Sequence, residues 1–339
     1  MTRARTQRVE EVKARLLARI HDGHYQPGER FLSAREVADR FAVSYQTAHR
    51  LIRELCDAGH LQRVPASGTF LPGATTPLIG AQLLFHPRGR SEGSFGQHLL
   101  TLLQGRLERD GVRCAVAWST SKKAMLPDHF PVIWEQAELL RACTEQRRNA
   151  LLLNDQPPAG IDATIVDSVA TDDFAGGVSA GQLMRRHTKR QRGFVVLAGP
   201  ADDPRSIQRA AGFTSQLSAR TVVAGGWALE QGLAVADDVL GSRSPGIFCC
   251  NDRLAEAVIL AAREMGIVCP PLIGFDDAPV AESLNLTTIA IPWQEIVAAA
   301  AAVVKRRLAG DRSTGCRQIF APRPMIRSMR PREPVNKGA

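Results

Sequence analysis

The chain has 339 residues, 44% of them hydrophobic and 23% charged, which is enough apolar material for the cores of two or three globular domains. Its formal net charge of +9 favours an anionic partner such as nucleic acid, although many proteins of other functions are equally basic. Seven cysteines without C-x-x-C spacing argue against a disulfide framework and against a zinc or other metal site, and the lack of a signal sequence and of roughly 18 consecutive apolar residues predicts a cytoplasmic protein without a membrane span.

The first predicted element is an amphipathic helix near the N-terminus. Apolar residues recur there at helical spacing, namely Val9, Val12, Leu16, Leu17 and Ile20. This helix is expected to stop near Gly23, and Pro27-Gly28 then predicts a turn.

Two further helices and two short strands are predicted next. Ser33 is a candidate N-cap with Glu36 completing a capping box, and Ser44 is the candidate cap of a third helix that Gly59 ends. The predicted buried faces of these helices consist of Val37, Ala38, Phe41, Ala48, Leu51, Ile52 and Leu55. Two strands around a loop ending in Ser67-Gly68-Thr69-Phe70 complete the order of a winged helix-turn-helix, which places one helix in a DNA major groove.

This N-terminal region resembles the gluconate-repressor (GntR) family of bacterial regulators. The matching segments are Tyr25-x-Pro27-Gly28-Glu29-Arg30, Leu32-Ser33-Ala34-Arg35-Glu36, Val43-Ser44-x-x-Thr47 and Ser67-Gly68-Thr69-Phe70. The resemblance implies that Arg35, the start of the third helix and the wing glycine face DNA. The candidate DNA-binding residues are Arg35, Ser44, Tyr45, Gln46, Thr47, His49, Arg50 and Gly68.

The N-terminal sequence departs from the family at two of these positions. Family members usually carry arginine where this chain has Tyr45 and His49, so the operator sequence cannot be inferred from relatives. Ser44 and Thr47 could also serve only as cap and packing residues, and Gly68 could serve only the geometry of the wing.

Beyond a linker at 74–77, short apolar strands alternate with amphipathic helices. Strands are predicted at 78–85, 113–119, 150–154, 193–199, 246–251, 272–277 and 287–292, and helices near 95–110, 176–187, 204–218, 252–265 and 293–309. This alternation predicts an α/β domain of parallel sheets flanked by helices, spanning 78–330 and followed by a tail at 331–339. Ligands of such sheets bind at the carboxyl ends of the strands.

Polar residues stand at those strand ends. Asn154, Asn251 and Asp276 each end a predicted strand, and Arg209 lies on the helix after Gly199-Pro200. This region resembles the sensor domain of the lac-repressor family, which is similar to periplasmic sugar-binding proteins. The matching segments are CNDRLAEAVILAAREMGI, LIGFDDAPVAESLNLTTIAIP and Asp172-x-x-x-Gly176-Gly177.

The lac-repressor resemblance implies a two-lobed domain whose effector lies between the lobes. It implies that Arg209, Asn251 and Asp276 hold the effector. These side chains suit a sugar, because a carboxylate accepts hydrogen bonds from sugar hydroxyl groups while arginine and asparagine donate hydrogen bonds to them. Trp227 could offer a ring face to a sugar or could belong to the core. Asn251 and Asp252 could instead cap the following helix.

The sequence thus predicts a winged helix-turn-helix joined to a two-lobed effector domain. The function expected is a homodimeric, sugar-responsive repressor that binds a duplex DNA operator and needs no cofactor. A regulator that responds to a nucleobase or another metabolite, and a cytosolic sugar-binding or sugar-processing protein, are the alternatives. Enzyme activity is not expected, because the nucleophile, metalloprotease and phosphate-loop motifs are absent. An aminotransferase-like domain would also need a lysine to bind pyridoxal phosphate, and no lysine lies between Lys189 and Lys305.

Overall fold

The chain divides into two compact units, residues 1–78 and residues 79–339. The computed structural model describes residues 2–25, 29–64, 68–72, 78–91, 93–146, 148–241, 243–311 and 313–333. The predicted turn at Pro27-Gly28, the wing residue Ser67, the linker at 74–77 and residues 334–339 of the predicted tail lie outside the described residues.

The first unit contains three helices and a two-stranded sheet. These elements are α1 (Thr2–His21), α2 (Ala34–Phe41), α3 (Tyr45–Asp57), β1 (Gln62–Val64) and β2 (Gly68–Phe70). Strands β1 and β2 are antiparallel, with Arg63 opposite Thr69. The order confirms the predicted winged helix-turn-helix.

The caps and the core of this unit follow the sequence pattern. Ser33 and Glu36 form the predicted capping box, and Ser44 caps α3 by accepting a hydrogen bond from the backbone N–H of Thr47. The capping hydrogen bonds from Ser33 hold the pKa of the Glu36 carboxyl below its usual value. The buried core consists of Val12, Leu16, Phe31, Val37, Ala48, Leu51, Ile52, Leu55, Leu61 and Leu71.

The second unit is built of parallel strands with helices between them. Its strands are β3 (Gly80–Phe85), β4 (Cys114–Trp118), β5 (His129–Trp134), β6 (Ala150–Leu153), β7 (Val166–Thr171), β8 (Arg192–Ala198), β9 (Ser218–Val223), β10 (Ile247–Cys249), β11 (Leu272–Asp276), β12 (Thr287–Ala290), β13 (Arg317–Phe320) and β14 (Arg323–Met325). Its helices are α4 (Phe95–Arg109), α5 (Ala137–Glu145), α6 (Asp173–His187), α7 (Pro204–Thr214), α8 (Leu229–Ala234), α9 (Ala236–Gly241), α10 (Asp252–Glu264), α11 (Pro279–Ser283) and α12 (Trp293–Leu308).

These strands form two six-stranded sheets, which define two lobes. The sheet of the first lobe has the order β13-β7-β6-β5-β3-β4, and the sheet of the second lobe has the order β14-β12-β11-β10-β8-β9. All pairings are parallel except that of β12 with β14. The chain passes between the lobes after β7, after β12 and after β13, so the two lobes share three connections.

Several elements of the second unit differ from the sequence prediction. Strands β5, β7, β9, β13 and β14 were not predicted, and the helix predicted at 204–218 ends at Thr214 because Ser218 begins β9. Strand β7 was missed because it contains Asp167 and Ser168, which are buried in the sheet. Asp167 is buried there because Arg307 of α12 binds both of its carboxylate oxygens, at 2.8 and 3.1 Å.

Part of the segment predicted as a tail pairs with the second lobe. The backbone of Arg332 exchanges two hydrogen bonds of 2.9 Å with the backbone of Cys269, so this residue is bound to the second lobe. No helix in the described part of the chain is long and apolar enough to cross a membrane.

Two glycines bring α6 and α7 into backbone contact. A Cβ atom at Gly177 would lie 2.1 Å from the carbonyl oxygen of Arg209, and one at Gly212 would lie 2.2 Å from that of Phe174. These contacts set the position of α7 on its lobe, and α7 carries Arg205 and Arg209. The Gly176-Gly177 pair singled out in the sequence therefore has a packing role.

We expect Gly177→Ala to destabilise the second unit by about 1–3 kcal/mol, because backbone atoms cannot move aside as a flexible side chain can. Chemical denaturation followed by circular dichroism would measure this loss. Gly241→Ala is the matched control, because Gly241 also lies in a helix and an added Cβ there meets no atom of another described element within 4 Å. Equal stability of the two variants would contradict the packing role.

Candidate DNA-binding surface and ligand cavity

The N-terminal turn of α3 forms an exposed polar surface in the first unit. Tyr45 is 54% exposed, Gln46 and Arg50 are also exposed, and His49 is half-buried. Arg35 is exposed on α2. The start of α3 thus presents polar side chains to solvent while its opposite face packs into the core, as a recognition helix requires.

Ser44 and Thr47 have contacts within this turn. Their hydroxyl groups lie 2.8 Å apart, and the Ser44 oxygen also accepts from the Thr47 backbone N–H at 3.2 Å. Both are therefore engaged in the cap. Gly68 has φ +128°, a conformation that favours glycine, so it has a geometric role in β2.

Arg63 adds a basic group that the sequence did not single out. It lies exposed on β1, and its Nη1 is 3.4 Å from Nε2 of His49. The wing strand thereby places a guanidinium beside α3. No local pattern marks Arg63, because its neighbour His49 is 14 positions away on another element.

The second unit contains a cavity of about 550 Å³ between its lobes. The first lobe lines it with residues that follow β3, β5 and β6, and the second lobe lines it with residues around β9, α7, α10 and the end of β11. The principal polar and aromatic lining residues are Arg88, Ser91, Ser94, Phe95, Trp134, Glu135, Asn154, Arg205, Arg209, Trp227, Asn251, Arg253 and Asp276. All five predicted effector residues are among them, and Asn154, Asn251 and Asp276 lie at or just after strand carboxyl ends, as expected of a ligand site in parallel sheets.

Arg209 and Asp276 form a buried cluster in the second lobe. Arg209 donates from Nε to Asp173 at 2.7 Å, and from Nη1 to Asp276 at 3.0 Å and to the carbonyl oxygen of Cys250 at 2.7 Å. Burial raises the pKa of Asp276 to about 6, and the nearby guanidinium opposes that rise. The cluster fixes a carboxylate and a guanidinium at the cavity wall, where both can bind ligand hydroxyl groups.

Asn251 has a structural role in this conformation. Its Oδ1 accepts from the Leu254 backbone N–H at 2.8 Å, which caps α10, and its Nδ2 donates to the carbonyl oxygen of Trp227 at 2.8 Å. Trp227 donates from Nε1 to Asp203 at 2.9 Å. The amide of Asn251 thus positions Trp227, whose ring is half-buried in the cavity wall.

Asn154 lies at the opposite wall, in the first lobe. Its Oδ1 accepts from the hydroxyl of Thr171 at 3.1 Å, whereas its Nδ2 is buried without a hydrogen-bond partner among the described residues. Its φ of +53° belongs to the left-handed region, as do those of Glu135 and Asp276, which also follow or end strands at the cavity. Backbone strain of this kind is often concentrated at functional sites.

Asp252 holds the loop that follows β11. Its carboxylate accepts from the hydroxyl of Thr288 at 2.7 Å and from the backbone N–H of Ala278 at 2.8 Å. Burial, reinforced by the charge of Asp276, raises its pKa well above the usual value. Its contact with Ala278 holds the backbone two residues after Asp276. The residue that caps α10 is Asn251 and not Asp252.

The sequence did not single out Arg88, Trp134, Glu135 or Arg205 as site residues. Trp134 is the last residue of β5, and the missed strand hid its position. Its ring lies on Gly89 and Gly96, where an added Cβ would approach it to within 2.6 Å. Gly89 lies before α4 and Gly96 lies inside it, and both leave room for this ring. These two glycines were the only sign in the sequence that a large side chain packs here.

Comparison with known proteins gives two family matches. Residues 8–71 match the model for bacterial regulatory proteins of the gntR family, and residues 150–311 match the periplasmic binding protein domain. The chain is 30% identical over 168 residues to the HTH-type transcriptional repressor PurR of Escherichia coli, a match that covers 45% of this chain and 48% of that repressor. It is 29% identical over 188 residues to PurR of Klebsiella pneumoniae, covering 51% and 54%. The chain thus spans about half the length of these curated relatives.

A similar fold is found in solved structures. A LacI family transcriptional regulator from Enterococcus faecalis with bound ribose has a TM-score of 0.64 and 20% identity, covering 74% of this chain and 98% of that one. At such identities the likeness concerns the fold alone. Residues 8–71 are thus similar to regulatory proteins of the gntR family and residues 150–311 to a periplasmic binding protein domain, and the second unit has the two-lobed fold of the ribose-bound regulator.

Proposed function

We propose that this chain is a transcription regulator that binds duplex DNA through its first unit and a small effector in the cavity of its second unit. The observation that supports this most directly is the pairing of an exposed polar α3 with a cavity of about 550 Å³, a volume suited to a small metabolite. The curated relatives are transcriptional repressors, so repression is the proposed direction of control. Action through binding rather than catalysis, in the cytoplasm, is part of the proposal.

The proposed effector is a small uncharged polyol, most simply a sugar. Arg209 and Asp276 supply a donor and an acceptor side by side, and Trp227 supplies a ring face in the same wall. Ribose is bound in the Enterococcus faecalis regulator of similar fold, which makes it the first sugar to test. A nucleobase, the alternative effector that the sequence left open, is the second class to test.

Genomic selection would test the function as a whole. The full-length protein would be incubated with sheared genomic DNA from its source, and the bound fragments would be sequenced. We expect enrichment of a few fragments that share a two-fold-related motif. Addition of the effector is expected to change the amount of these fragments that stays bound to the protein. Equal recovery of all fragments by the protein and by an Arg35→Ala/Arg50→Ala variant would overturn the proposal.

A homodimer on DNA is a further prediction. One winged helix contacts few base pairs, and a two-fold dimer doubles these contacts on a pseudo-palindromic operator. Sedimentation velocity of the protein, free and with an operator fragment from the selection, is expected to give the mass of two chains. A monomer in both samples would count against this prediction.

A further inference from the structure

Glu135 connects the two lobes across the cavity. It follows β5 of the first lobe, and its carboxylate forms ion pairs with Arg88 of the same lobe and with Arg205 of the second lobe. The Glu135 and Arg205 side chains are only 8% and 12% exposed. Water therefore screens this pair much less than it screens a surface ion pair.

Arg205 is fixed from its own lobe as well. Its Nη2 and Nε donate to the two oxygens of Asp203 at 2.6 and 3.0 Å. Burial opposes the charge of Asp203, but these bonds and one from Trp227 outweigh it and lower the pKa of Asp203 to about 2. Arg205 is thus a rigid anchor in the second lobe to which Glu135 binds.

The same chain of contacts reaches both aromatic walls of the cavity. The guanidinium of Arg88 lies 5.6 Å from the centre of the Trp134 ring, and Asp203 accepts a hydrogen bond from Trp227. The contacts therefore run from one tryptophan to the other through Glu135. The Glu135–Arg205 pair is the link in this chain that joins the two lobes.

A second contact spans the lobes at another edge of the cavity. Nη2 of Arg253, on α10, lies 3.4 Å from the carbonyl oxygen of Gly93, in the loop before α4. This distance is long for a hydrogen bond, and Arg253 is also paired with Glu256 at 2.8 Å. The contact at Gly93 is therefore weaker than the Glu135–Arg205 pair.

We propose that Glu135 is a positioning residue that clasps the two lobes together. It does so by holding Arg205 across the cavity, at the expense of a left-handed backbone conformation with φ +56°. Loss of the carboxylate shifts the lobes towards an open arrangement and leaves Arg88 and one edge of Arg205 without their partner. This role depends on the geometry of the second unit and does not depend on DNA binding or on the identity of the effector.

Hydrogen exchange of the full-length protein, read by mass spectrometry without ligand or DNA, tests the clasp. In Glu135→Gln we expect exchange in segments 94–97, 203–209 and 226–231 to accelerate about three- to tenfold, because opening exposes these cavity walls. Exchange in β10 and in α3 is expected to stay unchanged. Glu138→Gln is the matched control, since Glu138 is an exposed glutamate on α5 that pairs only with Arg141 among the described residues.

Two further variants make the result decisive. Arg205→Gln is expected to accelerate the same segments, and the double variant is expected to show less than the sum of the single effects, because both changes break one contact. If Glu135→Gln folds poorly, Glu135→Asp keeps the charge, shortens the reach and is expected to give the same pattern of faster exchange. Exchange at the control rate in Glu135→Gln, or in Glu135→Asp where that replaces it, would overturn the clasp, as would additive effects of the Glu135 and Arg205 changes.

Discussion

Replacing Asp276 by alanine is expected to weaken effector binding about ten- to hundredfold, because it removes a charge-assisted acceptor that is already held in place. The carboxylate is buried in the cavity wall, where Arg209 at 3.0 Å and the Asp252-bound loop fix its direction. A ligand hydroxyl therefore meets an oriented acceptor without a further ordering cost. The effector is expected to lose this contact entirely in the variant.

Titration calorimetry would compare the two proteins against ribose, other pentoses and hexoses, and disaccharides, followed by purine bases. Asp238→Ala is the control, because Asp238 is an exposed carboxylate of the same lobe on α9. DNA binding by the ligand-free Asp276→Ala protein should stay close to that of the wild type, since the residue belongs to the second unit. Equal sugar affinity of Asp276→Ala and wild type would remove Asp276 from the site, and binding of purine bases alone would replace the sugar proposal by the nucleobase alternative.

The response should also be reciprocal. An effector changes DNA affinity only if it binds one arrangement of the protein better than another, and thermodynamic linkage then requires that DNA change effector affinity by the same factor. The clasp at Glu135 bears on this coupling. If the clasp already holds the lobes together, a ligand that binds the closed arrangement changes the populations of the closed and open arrangements less than it would if the lobes were mostly open.

Sequence patterns predicted the parts of the fold that depend on local periodicity. The caps at Ser33 and Ser44 and the apolar stripe of α3 are set by residues a few positions apart, and the structure confirms them. Strand β7 was missed for the opposite reason. Its buried Asp167 is stabilised by Arg307, 140 positions away, so its polar pattern gives no local sign of a buried strand.

The cavity, too, could be predicted from the sequence only in part. Asn154, Asn251 and Asp276, selected from predicted strand ends, line one cavity, because the carboxyl ends of parallel strands share an edge. The pattern could not show that the Asn251 amide is engaged by Leu254 and Trp227, since that depends on side-chain rotation. Nor could it show Glu135, whose partner Arg205 lies on a different lobe.

Removal of Arg50 or Arg35 is the second change with a large expected effect. The Arg50 side chain is 54% exposed and its Nε lies 3.6 Å from Glu54, a weak pair that leaves the guanidinium available to a phosphate. Arg35 is exposed on α2, the helix that precedes the recognition helix. In the proposed complex both arginines contact the DNA backbone, where each neutralises about one phosphate.

Each alanine variant should therefore weaken binding to operator and to unrelated DNA by a similar factor, and the slope of log affinity against log salt should fall by about one. Fluorescence anisotropy with both DNAs, over KCl concentrations from about 50 to 200 mM, measures the two quantities together. Arg15→Ala carries the same change of charge on an exposed part of α1 and is expected to alter the slope little. Gln46 is exposed at the start of α3, where we expect base contacts, so Gln46→Ala should instead reduce operator binding selectively. If both arginine variants keep the affinity and slope of the wild type, Arg35 and Arg50 do not contact the phosphate backbone, and the proposed orientation of this unit on DNA is wrong.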